Sequence, residues 1–94
     1  ELGKYVEKMV TPHPFATYNT KLNLKNPVVG NGLPATYITC VDPIYPPLTR
    51  SRDYAAAAAK ARGWRLAEIA TGHDAMITEP EKLADLLEKE AEIV

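Results

Sequence analysis

An aspartate and a histidine that could exchange protons each follow a stretch of sequence that predicts a β-strand. Asp42 comes directly after residues 35–41, which are rich in β-branched and aromatic side chains, and His73 comes shortly after a second predicted strand, residues 64–70. In open parallel sheets, ligands bind just beyond the carboxyl ends of the strands. If the two predicted strands are neighbours, they would bring the two side chains together at that edge. A carboxylate that binds one imidazole nitrogen leaves the other nitrogen free to act as a general base. The pair therefore indicates acid–base chemistry.

The elements that must position this pair follow from the segments around it. Five consecutive alanines make residues 48–62 a predicted helix, and Gly63 is its predicted stop. Strands joined through a helix are parallel when they are neighbours, with a right-handed crossover. A last helix is predicted near Thr78, whose hydroxyl would form a capping box with the Glu81 carboxylate. Residues 35–94 therefore predict an α/β fold in the order strand, helix, strand, helix.

The rest of the chain is rich in prolines and turn residues. Residues 2–10 predict the end of a helix, and residues 12–34 predict a long surface connection. Three prolines exclude regular structure just after the first strand: Pro43, Pro46 and Pro47. Two parallel strands need more strands beside them and cover on both faces. We therefore expect the sheet to continue in another part of the protein, and the lack of a starting methionine also predicts a fragment.

Two segments of the sequence resemble the carboxy-terminal part of the α/β-hydrolase superfamily. They are Ile38-Thr39-Cys40-Val41-Asp42, followed by Ile44, and Gly72-His73-Asp74-Ala75-Met76, followed by Pro80 opening a helix. The chain is most similar to the branch that holds plant methylesterases, hydroxynitrile lyases and bacterial small-ester esterases. Residues 11–18 resemble the stretch in which that branch leaves its cap and returns to the sheet. In this fold the serine of a Ser-His-Asp triad comes first, followed by the acid and then the histidine.

The resemblance implies a role for each part of the chain. Residues 1–34 would be the end of the cap, and residues 35–94 would carry the last two strands and helices of the hydrolase core. Asp42 would be the acid of the triad and His73 its base. The substrate pocket would be lined by Ile44, Tyr45 and Met76, with Phe15 and Tyr18 as further wall residues.

The nucleophile that this family requires is absent from the sequence. The chain has neither a Gly-x-Ser-x-Gly elbow nor the family's oxyanion loop. Ser51, the only serine, follows Asp42 and lies in a predicted helix without flanking glycines, so we interpret it as a surface or capping residue. Cys40 lies inside a predicted strand and is interpreted as a small buried core residue. We therefore expect the serine on the amino-terminal part of the same hydrolase, and no activity from this chain alone.

The implied reaction is the hydrolysis of a small carboxylic ester through an acyl-enzyme. Two alternatives stay open. A hydroxynitrile lyase of the same branch would use the triad without an acyl-enzyme, although Asp74 and Ala75 follow His73 where the plant lyases carry a nearby lysine. A non-catalytic binding protein could also retain the fold. A serine elbow upstream would separate the catalytic classes from the binding one.

The composition of the chain limits which binding partners and which cellular location we expect. The net charge of −1 argues against nucleic acid, and no apolar run approaches the ~20 residues that cross a bilayer. The lone Cys40 excludes an internal disulfide, and His13 with His73 cannot complete a zinc site, so we expect no metal and no cofactor. The expected partners are the amino-terminal part of the hydrolase and a small ester, with a homo-oligomer left open. The sequence has no recognisable signal segment, which favours a cytoplasmic location.

Overall fold

The structure, a computed structural model, describes residues 1–26 and 30–93. The chain divides into two compact units, Glu1–Gly32 and Leu33–Val94. Residues 27–29, which belong to the predicted surface connection, lie outside the described residues. The assignment of the two parts of the chain to a cap and a core stays a prediction.

The first unit contains two short helices. Helix α1 spans Leu2–Met9, which confirms the predicted helix, and its apolar side chains recur on one face without any of them being buried. Helix α2 is a single turn, Ala16–Asn19, inside the stretch that we expected to lack regular structure. A hydrogen bond between His13 Nε2 and the Thr17 hydroxyl ties the proline-rich segment to this turn.

The second unit is a mixed α/β arrangement around a two-stranded parallel sheet. Strand β1 spans Thr36–Cys40, helix α3 spans Thr49–Ala61, and strand β2 spans Arg65–Ile69. The register pairs Thr36 with Arg65 and Cys40 with Ile69. Helix α3 packs against both strands. The predicted strand–helix–strand unit with parallel neighbours is therefore confirmed, whereas two strands are too few to show a hydrolase sheet.

Helix α3 begins and ends for identifiable reasons. Our prediction that prolines exclude regular structure before it was wrong, because Pro46–Leu48 form a 3-10 turn that leads into the helix. The fixed φ of proline suits the first turn of a helix, where its missing N–H has no partner to lose. Gly63 ends the helix at a φ of 72°, with its N–H donating to Lys60 and the Trp64 N–H donating to Ala59. These two bonds form a Schellman motif and confirm the predicted stop.

Two helices follow β2, namely α4 over Ala75–Thr78 and α5 over Pro80–Glu92. Pro80 occupies the first turn of α5, as predicted. The predicted capping box was wrong, because Thr78 is the last residue of α4 and its hydroxyl donates to the Asp74 carbonyl oxygen. The residue before α5 is Glu79, which makes no side-chain capping bond and instead pairs with Lys82 at 3.0 Å.

A carboxylate of α5 ties that helix to the first residue of each strand. Glu90 accepts a hydrogen bond from the Thr36 hydroxyl at 2.8 Å, and Arg65 approaches the same carboxylate through Nε at 3.0 Å and Nη2 at 3.1 Å. The Glu90 side chain is only 12% exposed. Side chains alternate between the faces of a sheet, so Glu90 contacts the face that also carries Ile38 and Ile69.

The buried core of the described residues is small. Its hydrophobic members are Ala59, Ile69 and Ala75, and Thr71 is the one buried polar residue. Most of the large apolar side chains are half-buried or exposed. None of the helices in the described ranges has the length and apolar character needed to cross a membrane.

Candidate functional site

The backbone places Asp42 and the turn before His73 side by side at the carboxyl edge of the sheet. The Val41 N–H donates to the Ile69 carbonyl at 3.0 Å, and the Asp42 N–H donates to the Thr71 carbonyl at 3.3 Å. Pairing therefore continues for two residues beyond β1. Asp42 and His73 lie in the two loops that leave neighbouring parallel strands, where the sequence predicted them.

The loop that carries His73 is anchored from both sides. The side chain of Thr71 is buried, and its hydroxyl bonds the hydroxyl of Thr78. After His73, the Ile77 N–H donates to the Asp74 carbonyl at 2.8 Å, which closes the first turn of α4 around the buried Ala75. These contacts fix the backbone of His73 while its side chain remains exposed.

The loop that carries Asp42 is less embedded. Asp42 is exposed, the following peptide bond to Pro43 is cis, and Ile44 and Tyr45 are 48% and 55% exposed. One backbone bond, from the Leu48 N–H to the Tyr45 carbonyl at 3.0 Å, closes the loop at its far end.

The two side chains of the predicted pair are not joined. Within the described ranges, no hydrogen bond links the Asp42 carboxylate to the His73 imidazole. The His73 ring instead stacks on Tyr45, with ring centroids 6.5 Å apart and an angle of 22° between the planes. A carboxylate and an imidazole that both face water gain little from pairing, because solvent screens their attraction. The structure thus brings the two loops together but does not assemble an acid–base pair.

Two open clefts meet at Tyr45 and His73. The larger has a volume of about 420 Å³ and is lined by β1, by the start of α3 and by these two rings. The smaller, about 310 Å³, is lined by Pro43, Ile44 and Asp74 together with Gly72 and the same rings. Of the predicted pocket residues, Ile44 and Tyr45 line these clefts. Met76 lines neither and is 57% exposed.

Two residues that could have been nucleophiles line the larger cleft. Ser51 is an exposed residue in the first turn of α3, as the sequence predicted. Cys40 is half-buried, and its Sγ lies 3.9 Å from the His73 carbonyl oxygen. The prediction that Cys40 is buried was therefore wrong. The reason is that Cys40 lines the larger cleft, which is open to solvent.

The sequence reasoning missed Arg52, which also lines the larger cleft and pairs with Asp53 at 3.0 Å. Its spacing of three residues from Ala55 could have placed both on the face of α3 that lines the cleft. The predicted wall residues Phe15 and Tyr18 belong to the first unit and are exposed there. No group of three potential metal ligands lies among the described residues.

Comparison with known proteins identified no relative of this chain. A scan against protein-family models found no match, and searches of the curated proteins and of the solved structures found no significant match. The α/β-hydrolase resemblance therefore stays a prediction from the two sequence segments that carry Asp42 and His73.

Proposed function

We propose that this chain is the carboxy-terminal part of a serine ester hydrolase. It would supply Asp42 as the acid and His73 as the base of a Ser-His-Asp triad whose serine lies on the amino-terminal part. The observation that carries the proposal is the position of the two residues just beyond the carboxyl ends of adjacent parallel strands. This is the edge where open α/β sheets bind ligands.

The proposed reaction has two halves. The serine oxygen attacks the ester carbonyl while His73 takes the serine proton, and the alcohol leaves with that proton to give an acyl-enzyme. Water then attacks the acyl group while His73 takes its proton, and the bond to the serine oxygen breaks as His73 returns that proton to the serine and the carboxylic acid leaves. Asp42 would bind the Nδ1–H of the imidazole, hold its tautomer and stabilise the imidazolium. Docking of the amino-terminal part would exclude water from both side chains, which strengthens their attraction.

The two clefts that meet at His73 support a small ester as the substrate. Both clefts are lined by Tyr45 and His73, and we assign one to the acyl group and the other to the alcohol. Their volumes of about 420 Å³ and 310 Å³ fit small groups. The proposal includes a cytoplasmic enzyme, a location that rests on the sequence alone.

The test is hydrolysis of p-nitrophenyl acetate by the protein purified together with any polypeptide that copurifies. General base catalysis contributes about 10²–10⁴-fold, so His73→Ala should lower the rate by at least about 100-fold. His13→Ala is the matched control, because His13 lies in the other unit, and its rate should equal that of the unaltered protein. An unchanged rate for His73→Ala would reject the proposal, as would full activity from the 10.3 kDa chain alone.

A further inference from the structure

The two clefts that meet at His73 differ in the charge of their walls. Among the described residues that line the larger cleft, Arg52 is the one with a permanent charge. In the smaller cleft the charged residue is Asp74, and no lysine or arginine lies among its described lining residues. The larger cleft is therefore the one that suits the negatively charged part of a ligand.

The Arg52 guanidinium is placed to bind an anion in this cleft. Its side chain is only 22% exposed, so it has lost part of its contact with water. Within the described residues its hydrogen bonds go to a single oxygen, Asp53 Oδ1, from Nε at 3.3 Å and from Nη2 at 3.0 Å. The Asp53 side chain is 65% exposed, and a pair with so exposed a group is weak. A guanidinium has five N–H donors in a planar fork, so others remain available for a second acceptor.

The remaining walls of the larger cleft suit an apolar chain. They are formed mainly by aromatic and aliphatic side chains, namely Tyr37, Ile38, Tyr45, Leu48 and Ala55. A ligand with an apolar body and one negatively charged end would use both these walls and the guanidinium. A carboxylate fits that end better than a phosphate dianion, because one guanidinium balances one negative charge and its planar fork matches the planar carboxylate.

We propose that the larger cleft binds a carboxylate of the substrate and that Arg52 is the residue that recognises it. The substrate class is then a small ester whose acyl chain ends in a carboxylate, such as the half-ester of a dicarboxylic acid. The smaller cleft takes the uncharged alcohol, because Asp74 in its wall repels a second carboxylate. The ester rests on the proposed function, whereas carboxylate binding by Arg52 does not.

Binding is tested without hydrolysis, by NMR titration of the protein purified together with any polypeptide that copurifies and carrying isotope-labelled arginine. The probes are hexanoate and hexanamide, which share a carbon chain and differ in the charge of the end group. Hexanoate should shift the Arg52 Nε–H signal and bind about tenfold more tightly than hexanamide, because a hydrogen bond to a charged acceptor is the stronger one. This comparison uses the unaltered protein and does not depend on the folding of a variant.

Two matched variants locate the site and test the substrate class. Arg52→Gln removes the guanidinium and should bind hexanoate no more tightly than hexanamide. Arg50→Gln makes the same change of charge at an exposed neighbour that lines neither cleft, and it should keep the preference for hexanoate. With the p-nitrophenyl half-ester of adipic acid and p-nitrophenyl hexanoate, Arg52→Gln should lower the ratio of the two kcat/KM values at least about tenfold. Arg50→Gln should leave that ratio unchanged.

Equal affinity for hexanoate and hexanamide in the unaltered protein would overturn the proposal, as would a preference for hexanoate that survives Arg52→Gln or is lost equally in Arg50→Gln. A kcat/KM ratio that Arg52→Gln leaves unchanged would overturn the substrate class. If neither ester is hydrolysed, the proposed function fails by itself, and the titration still decides whether Arg52 binds a carboxylate. The two failures therefore remain distinct.

Discussion

The two loops that carry Asp42 and His73 leave neighbouring strands, yet they are held very differently. The His73 loop is anchored by the buried residues Thr71 and Ala75. The Asp42 loop is exposed from Asp42 to Tyr45 and closes through a backbone bond at its far end. The backbone of the proposed base is therefore held by contacts within this chain, whereas the proposed acid would need a further surface to hold it. This difference is expected if one face of the site belongs to another part of the protein.

The largest expected effect in the second unit is at the anchor of the His73 loop. Replacing Thr71 by valine removes the buried hydroxyl that bonds Thr78, which should lower the free energy of unfolding by about 1–2 kcal/mol. Urea denaturation followed by Trp64 fluorescence would measure this change. Thr71→Ser keeps the hydroxyl and should lose less stability. Equal stability for the valine variant and the unaltered chain would show that the hydrogen bond between Thr71 and Thr78 does not stabilise the His73 loop.

The smaller effect is expected in the Asp42 loop. Ile44 is 48% exposed, so Ile44→Ala should change the free energy of unfolding by less than about 0.5 kcal/mol. The same urea experiment applies. A loss above about 1.5 kcal/mol would mean that the Asp42 loop is packed as firmly as the His73 loop and would remove the contrast between them.

Local patterns in the sequence predicted the parts of the fold that depend on neighbouring residues. The parallel pair of strands and the glycine stop at Gly63 are of this kind. The capping box failed because two geometries compete for Thr78, and its hydroxyl bonds Thr71 and Asp74 at the end of α4 instead. The Glu90 carboxylate, which joins α5 to Thr36 and Arg65, is a long-range contact that periodicity does not reveal.

The candidate site was predictable to a similar extent. The strand-end positions of Asp42 and His73 follow from sequence order and from the rule for parallel sheets. The lack of a bond between their side chains, and the partial exposure of Cys40, depend on how much of this edge of the sheet faces solvent. That information is not in these residues.

The central claim is that this chain provides an acid and a base but no nucleophile. Fluorophosphonate labelling of the protein, purified with any copurifying polypeptide and read by the intact mass of each chain, tests the claim most directly. The account predicts an adduct on a serine outside residues 1–94, lost in His73→Ala, while the 10.3 kDa chain keeps its mass. An adduct on Ser51, or labelling that survives the loss of His73, would contradict it.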